Sequence, residues 1–106
     1  MTVLTATDAT FDELVLLSEI PVLVEFGAEW CPPCRAMAPM LGALSDDLEG
    51  RVRVVTVDVD ASPRIALEQR ITSVPIIRVV HRGEVVRSFS GARPRPALEA
   101  ALADLI

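Results

Sequence analysis

Both cysteines of the chain fall within residues 26–39, Phe-Gly-Ala-Glu-Trp-Cys-Pro-Pro-Cys-Arg-Ala-Met-Ala-Pro, with two prolines between Cys31 and Cys34. The apolar run Val22-Leu23-Val24 precedes this stretch. Met37, Leu41, Leu44 and Leu48 follow it on one face of a helical pattern. A Cys-x-x-Cys at a strand-to-helix junction constrains the chain strongly. The first thiol sits at the positive end of a helix, where free backbone N–H groups and the macrodipole stabilise a thiolate. The second lies one helical turn on, close enough to close a small disulfide. A zinc site needs four ligands, and His81 is the one remaining soft donor, so the pair reads as a redox couple and no metal or other cofactor is called for.

With 106 residues the chain is long enough for one core and too short for two, so residues 1–106 form a single domain. Hydrophobic residues make up 51% of it, which supports a packed core and makes a disulfide-stapled secreted mini-protein the wrong class. Glu25, Asp58, Asp60 and Arg78 break the apolar stretches well short of membrane-spanning length. A net charge of −5 disfavours nucleic acid and acidic membrane surfaces as partners. All ten basic residues are Arg, from which no function is drawn. The first residues, Met-Thr-Val-Leu-Thr-Ala, lack a basic region before an apolar core, so a cytoplasmic address is expected.

In order, residues 3–6 read as a first strand. Thr10 with Glu13 forms a capping-box pattern opening a helix over 10–18, with Phe11, Leu14, Val15 and Leu17 on its apolar face. Residues 22–26 read as a buried strand. Pro33 biases Pro32 away from helical geometry and itself suits a first helical position, so the next helix is predicted over 33–48, kinked at Pro39 and ended by Gly50. Residues 51–57 alternate as a strand. Ser62-Pro63 caps and opens a short helix to about 69. Residues 76–80 and 85–89 form a hairpin through Arg82-Gly83. From Pro94 helical spacing runs to the C-terminus through Ala97, Leu98, Ala101, Leu102 and Leu105. The fold class is therefore α/β, a mixed sheet of about five strands flanked by four helices, with the early strands parallel and the last hairpin antiparallel.

Nearly the whole length of the chain resembles thioredoxin. Trp30-Cys31-Pro32-Pro33-Cys34 is similar to the family's Trp-Cys-Gly-Pro-Cys signature, and Pro39 to the proline that kinks its active-site helix. Val74-Pro75 resembles the hydrophobic residue and cis-proline that face the disulfide. Gly91-Ala92 resembles the small residues beside the active site, and Val-Glu-Phe-x-Ala-Glu-Trp the lead-in strand. The chain departs from the pattern at Pro32 (usually Gly), Glu25 (a buried Asp), Gly27 (often a second Trp), Thr56 (a Lys that pairs with the acid) and Ile76 (Thr). These departures bear on redox potential and partner choice. The resemblance implies a monomeric protein-disulfide reductase that acts on disulfide-containing proteins and is recycled by an NADPH-dependent thioredoxin reductase. Two alternatives stand beside it: a dedicated thiol-disulfide carrier for one partner system, and a binding module on the same scaffold with idle cysteines. Trp-Cys-Pro-Pro-Cys also occurs in tryparedoxins and cytochrome-maturation thiol proteins, which are generally longer, carry insertions or have an export signal.

Cys31 is then the nucleophile, capping the helix and exposed, and Cys34 the resolving thiol. Glu25 ends a buried strand with no Lys at the family's partner position. Its carboxyl is either buried with a raised pKa and able to exchange a proton with Cys34, or long enough to reach water at the strand end. Trp30 covers Cys31 or simply packs. By resemblance Pro75 is cis, and with Val74 it offers backbone groups to an extended substrate beside the disulfide. Pro32, Gly91 and Ala92 complete the substrate-facing surface. Asp58 and Asp60 read as ordinary strand-end carboxylates, His81 as a surface residue at the hairpin turn, and Arg93-Pro94-Arg95-Pro96 as a proline-started helix.

Overall fold

The computed structural model describes residues 3–106. Five strands, β1 (Leu4–Ala6), β2 (Val22–Gly27), β3 (Arg53–Asp58), β4 (Ile76–His81) and β5 (Glu84–Ser90), form one sheet in the order β1-β3-β2-β4-β5. β2 runs parallel to β3, and β3 to β1, while β4 is antiparallel to both β2 and β5. Four helical elements connect them: α1 (Asp12–Leu16), α2 (Pro32–Asp47), α3 (Pro63–Glu68) and α4 (Arg95–Leu102). The predicted α/β mixed sheet with four helices is the one observed.

β2 is central and buried at all six positions. Its side chains alternate between the two faces of the sheet. Leu23 points into a core built with Met37, Leu41, Leu44 and Leu48 after the cysteine pair, and Leu98 and Leu102 of α4. Val22, Val24 and Phe26 point the other way, onto Phe11 and Val15 of the first helical segment and Ile65 of α3. Glu25 and Gly27 share parity with Leu23 and so lie on the α2 side. That parity puts a carboxyl, and then an absent side chain, under the start of the helix that carries the cysteines.

Several local expectations are corrected. The Thr10–Glu13 capping box does not form: the Thr10 hydroxyl accepts the Thr7 N–H at 2.9 Å, and α1 is a short turn with an i→i+5 bond from the Leu17 N–H to the Asp12 carbonyl. Phe11, Val15 and Ser18, spaced i, i+4, i+7, are the buried positions, and this leaves Leu17 in solvent. α2 starts one residue earlier than predicted. Cys31 takes up the extended geometry that precedes a proline, and Pro32 and Pro33 occupy first-turn positions whose N–H groups would have no helical partner. Ser62 makes no side-chain cap of α3. Asp8, in the loop after β1, accepts the Ile65 N–H at 2.8 Å and the Arg64 N–H at 3.3 Å instead. The hairpin turns at Arg82 (φ 54°) and Gly83 (φ 80°), the paired positive-φ geometry of a tight two-residue loop. α4 ends at Leu102, followed by turn bonds from the Ala103 N–H to the Ala100 carbonyl and from the Leu105 N–H to the Leu102 carbonyl.

Candidate active site

The end of β2 delivers the chain to Cys31, whose extended conformation (φ −93°, ψ 106°) ends the loop and caps α2. Cys31 and Cys34 are joined in a disulfide with their Cα atoms 5.3 Å apart. The Cys31 Sγ accepts the backbone N–H of Cys34 at 3.3 Å, so the helix offers one of its orphan donors directly to that sulfur. The exposure expected for Cys31 is not seen: Cys31 is 2% and Cys34 8% exposed. Ala28 packs with the pair, and the half-buried Val59 and Val74 close over it.

Val74-Pro75 is a cis peptide bond, and the Pro75 carbonyl accepts the Gly91 N–H at 2.8 Å. Val74 thus sits against the sulfurs while Gly91 ties the start of β4 to the end of β5. Ala92 follows Gly91, and its carbonyl accepts from Arg93 at 3.0 Å. Trp30 is 64% exposed, and its indole N–H donates to Asp60 Oδ2 at 2.7 Å. Trp30 and Val74, with Val59, Ile71, Thr72 and Ser73, line a groove of about 140 Å³ beside the disulfide. Pro32 is exposed next to it. Asp60 therefore orients the tryptophan, a task that two strand-end carboxylates 30 residues from it did not disclose in the sequence. Its neighbour Asp58 is a local turn acceptor for the Asp60 and Ala61 N–H groups.

Glu25 is the buried carboxyl of the two readings. It is 5% exposed, and among the described residues its Oε2 has no hydrogen-bond partner. Burial without compensation pushes its pKa from 4.5 up to about 7. A Cβ placed on Gly27 would lie 3.3 Å from this oxygen and 3.1 Å from the Cys34 Sγ. The bare glycine is what lets carboxyl and sulfur face the same small space. That space opens into a cleft of about 330 Å³ lined by Glu25, Gly27, Cys34, Ala38 and Thr56, among others. Thr56 stands beside Glu25 in register on β3 and brings no charge to it.

The arrangement is suited to thiol-disulfide exchange: one sulfur is held by a helix N–H, the other shares the space at Gly27 with a carboxyl that titrates near neutrality, and the groove's Val59 and Val74 pack against the pair. Among the described residues no three His, Cys, Asp or Glu side chains are grouped to hold a metal ion, and no helix is long and apolar enough to cross a membrane. The Thioredoxin family model matches residues 2–104. A thioredoxin of Porphyra purpurea is 39% identical over 102 residues, spanning 96% of this chain and 95% of its own. The thioredoxin of Streptomyces clavuligerus is 45% identical over 92 residues, 87% of this chain and 85% of its own. Thioredoxin C-2 of Corynebacterium nephridii is 42% identical over 99 residues, with 93% and 92% covered. With the family's fold, its cysteine pair and these relatives in agreement, the chain belongs to the thioredoxin family and is a thiol-disulfide oxidoreductase.

Proposed function

We propose that the protein reduces disulfides in other proteins with Cys31 as the attacking thiolate and Cys34 as the resolving thiol. The observation that carries this division is the asymmetry between the sulfurs. Cys31 Sγ accepts the Cys34 N–H at the helix start, and Cys34 Sγ faces Glu25 across Gly27. A donor at the helix N-terminus favours the thiolate, whereas a neighbouring carboxylate favours the neutral thiol. The Cys31 thiolate attacks a substrate sulfur and expels the other as a thiolate. Glu25, part ionised at neutral pH, takes the Cys34 proton, and Cys34 then attacks Cys31 Sγ to release the reduced substrate.

An extended substrate segment lies in the groove along Trp30, Val74 and Pro75, with Pro32, Gly91 and Ala92 at its borders. Backbone groups of the Val74–Pro75 segment pair with it, as in strand addition. The protein works as a monomer in the cytoplasm, with the cysteine pair as its redox group. A thioredoxin reductase drawing on NADPH returns the oxidised pair to the dithiol.

Insulin-disulfide reduction with dithiothreitol separates this reading from a scaffold with idle cysteines, and kinetics with a thioredoxin reductase separate it from a dedicated carrier. The division of labour is tested by Cys31→Ser, which abolishes reduction, and Cys34→Ser, which accumulates mixed disulfides visible by mass spectrometry. Adducts trapped on Cys34 in the first variant, with none on Cys31 in the second, would reverse the two roles.

A further inference from the structure

The cleft beneath Gly27 shares no lining residue with the groove of Trp30 and Val74, and the disulfide-exchange steps leave most of its volume without a role. About 330 Å³ is far more than one proton-carrying water needs. Its apolar lining comes from Gly27, Ala28 and Ala38, with Thr5 and Thr56 beside them. The Glu25 carboxyl lines it, and Oε2 lies 3.3 Å from the point that a Gly27 Cβ would occupy. That side chain is more than nine-tenths buried, with no hydrogen-bond partner for Oε2 among the described residues.

Charge around the cleft is biased to one sign. Glu25 comes from β2, Glu29 from the loop that follows and Asp58 from β3, while Cys34 from α2 is held in the disulfide. Against them stands Arg35 of α2, whose guanidinium donates to the Glu29 carbonyl. A carboxylate at the base, apolar walls and an acidic rim together fit an ammonium head with a short hydrocarbon tail. We propose that this cleft binds a small primary alkylammonium ion, its head paired with the Glu25 carboxylate and its tail along Ala28 and Ala38.

A bound cation lowers the proton affinity of Glu25, so binding tightens as pH rises through the carboxyl's titration near 7. Cation and proton compete for the same carboxylate. In the reduced protein, occupancy therefore couples the level of small amines to the proton that Glu25 exchanges with Cys34.

The probe is n-propylammonium chloride against sodium chloride at matched ionic strength, with the Glu25 side-chain carboxyl followed by carbon NMR through a pH titration of the oxidised protein. The expected result is a saturable fall in the Glu25 midpoint with propylammonium alone, while n-propanol leaves it in place. Across methyl-, ethyl- and propylammonium the affinity rises by up to about fourfold per methylene as the tail buries. Thr56→Lys, which sets an ammonium beside Glu25 in register, removes the propylammonium response. Equal midpoints in the two salts, a shift that never saturates, or a response unchanged in Thr56→Lys would overturn the site and leave the cleft to water. The chain-length series in the unmodified protein decides the matter if that variant does not fold.

Discussion

Replacing Glu25 by Gln removes a titrating group and keeps nearly the same shape, so the pH dependence of its effect on stability reports the carboxyl's environment. In the folded protein burial holds the Glu25 pKa at about 7, against 4.5 for the ordinary carboxyl. A difference of this size is worth about 3 kcal/mol between the two protonation states. The direction follows from proton counting. Below about pH 4.5 folded and unfolded chains both carry the proton and the carboxyl adds no pH-dependent term. Between about 4.5 and 7 the folded chain holds a proton that the unfolded chain has lost, so stability falls as pH rises. Above about 7 both are ionised and the full cost of the buried charge remains. Gln does not titrate, and any constant penalty for its unpaired amide cancels when one pH is compared with another.

The expected outcome is that the stability of Glu25→Gln relative to wild type rises by about 3 kcal/mol between about pH 4 and pH 8.5. Urea unfolding of both oxidised proteins, followed by far-UV circular dichroism, measures it directly. A difference that stays flat across this interval refutes the buried-carboxyl argument and with it any proton role for Glu25 near neutrality. The same variant also separates the kinetic role. Wild-type resolution of a mixed disulfide accelerates as Glu25 ionises through about pH 7, and the variant loses that step in its profile.

Pro32→Gly tests the restriction placed between the sulfurs. Freedom regained by the open dithiol raises the reduction potential, by at most about 20 mV for a backbone effect of ~0.4–1 kcal/mol, and equilibration against a glutathione buffer reads it. A downward shift assigns Pro32 some other action. Gly27→Ala pushes a Cβ to 3.1 Å from Cys34 Sγ and 3.3 Å from both Cys34 Cβ and Glu25 Oε2. Because Cys34 is pinned by the disulfide and the helix start, overpacking outweighs the gain from a stiffer backbone, and oxidised-state stability drops by about 1 kcal/mol in thermal or urea unfolding. An unchanged or higher midpoint shows that these neighbours give way.

What the sequence disclosed about this protein was local or periodic. The apolar spacing after Cys34 located the buried face of α2, and all four of its named residues are in the core. Arg82-Gly83 fixed the hairpin because a two-residue loop restricts backbone angles more than packing does. Failures came where a partner distant in the chain decided the outcome. Asp8 caps α3 from 57 residues away, so the local Ser62-Pro63 signal was read with the wrong oxygen. Asp60 reaches Trp30 because β3 ends beside the loop after β2, a consequence of parallel pairing that single residues do not encode. Exposure of Cys31 was inferred from its place at a helix terminus. Its burial depends on Val59 and Val74, which arrive from two other loops.

The departures at positions 25, 27 and 56, which look independent along the chain, are one arrangement in space. Alternation along β2 puts Glu25 and Gly27 on the same face, and parallel register puts Thr56 beside Glu25. A glutamate carries its carboxyl one methylene farther from the backbone than an aspartate does. Under α2 that carboxyl comes within 3.3 Å of the position any Cβ at residue 27 would fill, so the longer acid and the glycine accommodate one another. With threonine at 56 no cation from β3 compensates the charge, and burial alone sets the carboxyl near neutrality. Supplying that cation, or filling the space at 27, therefore acts on the proton available to Cys34 as well as on packing. Under the proposed division of roles, the resolving thiol answers to this buried carboxyl, while the choice of substrate falls to the separate groove of Trp30 and Val74.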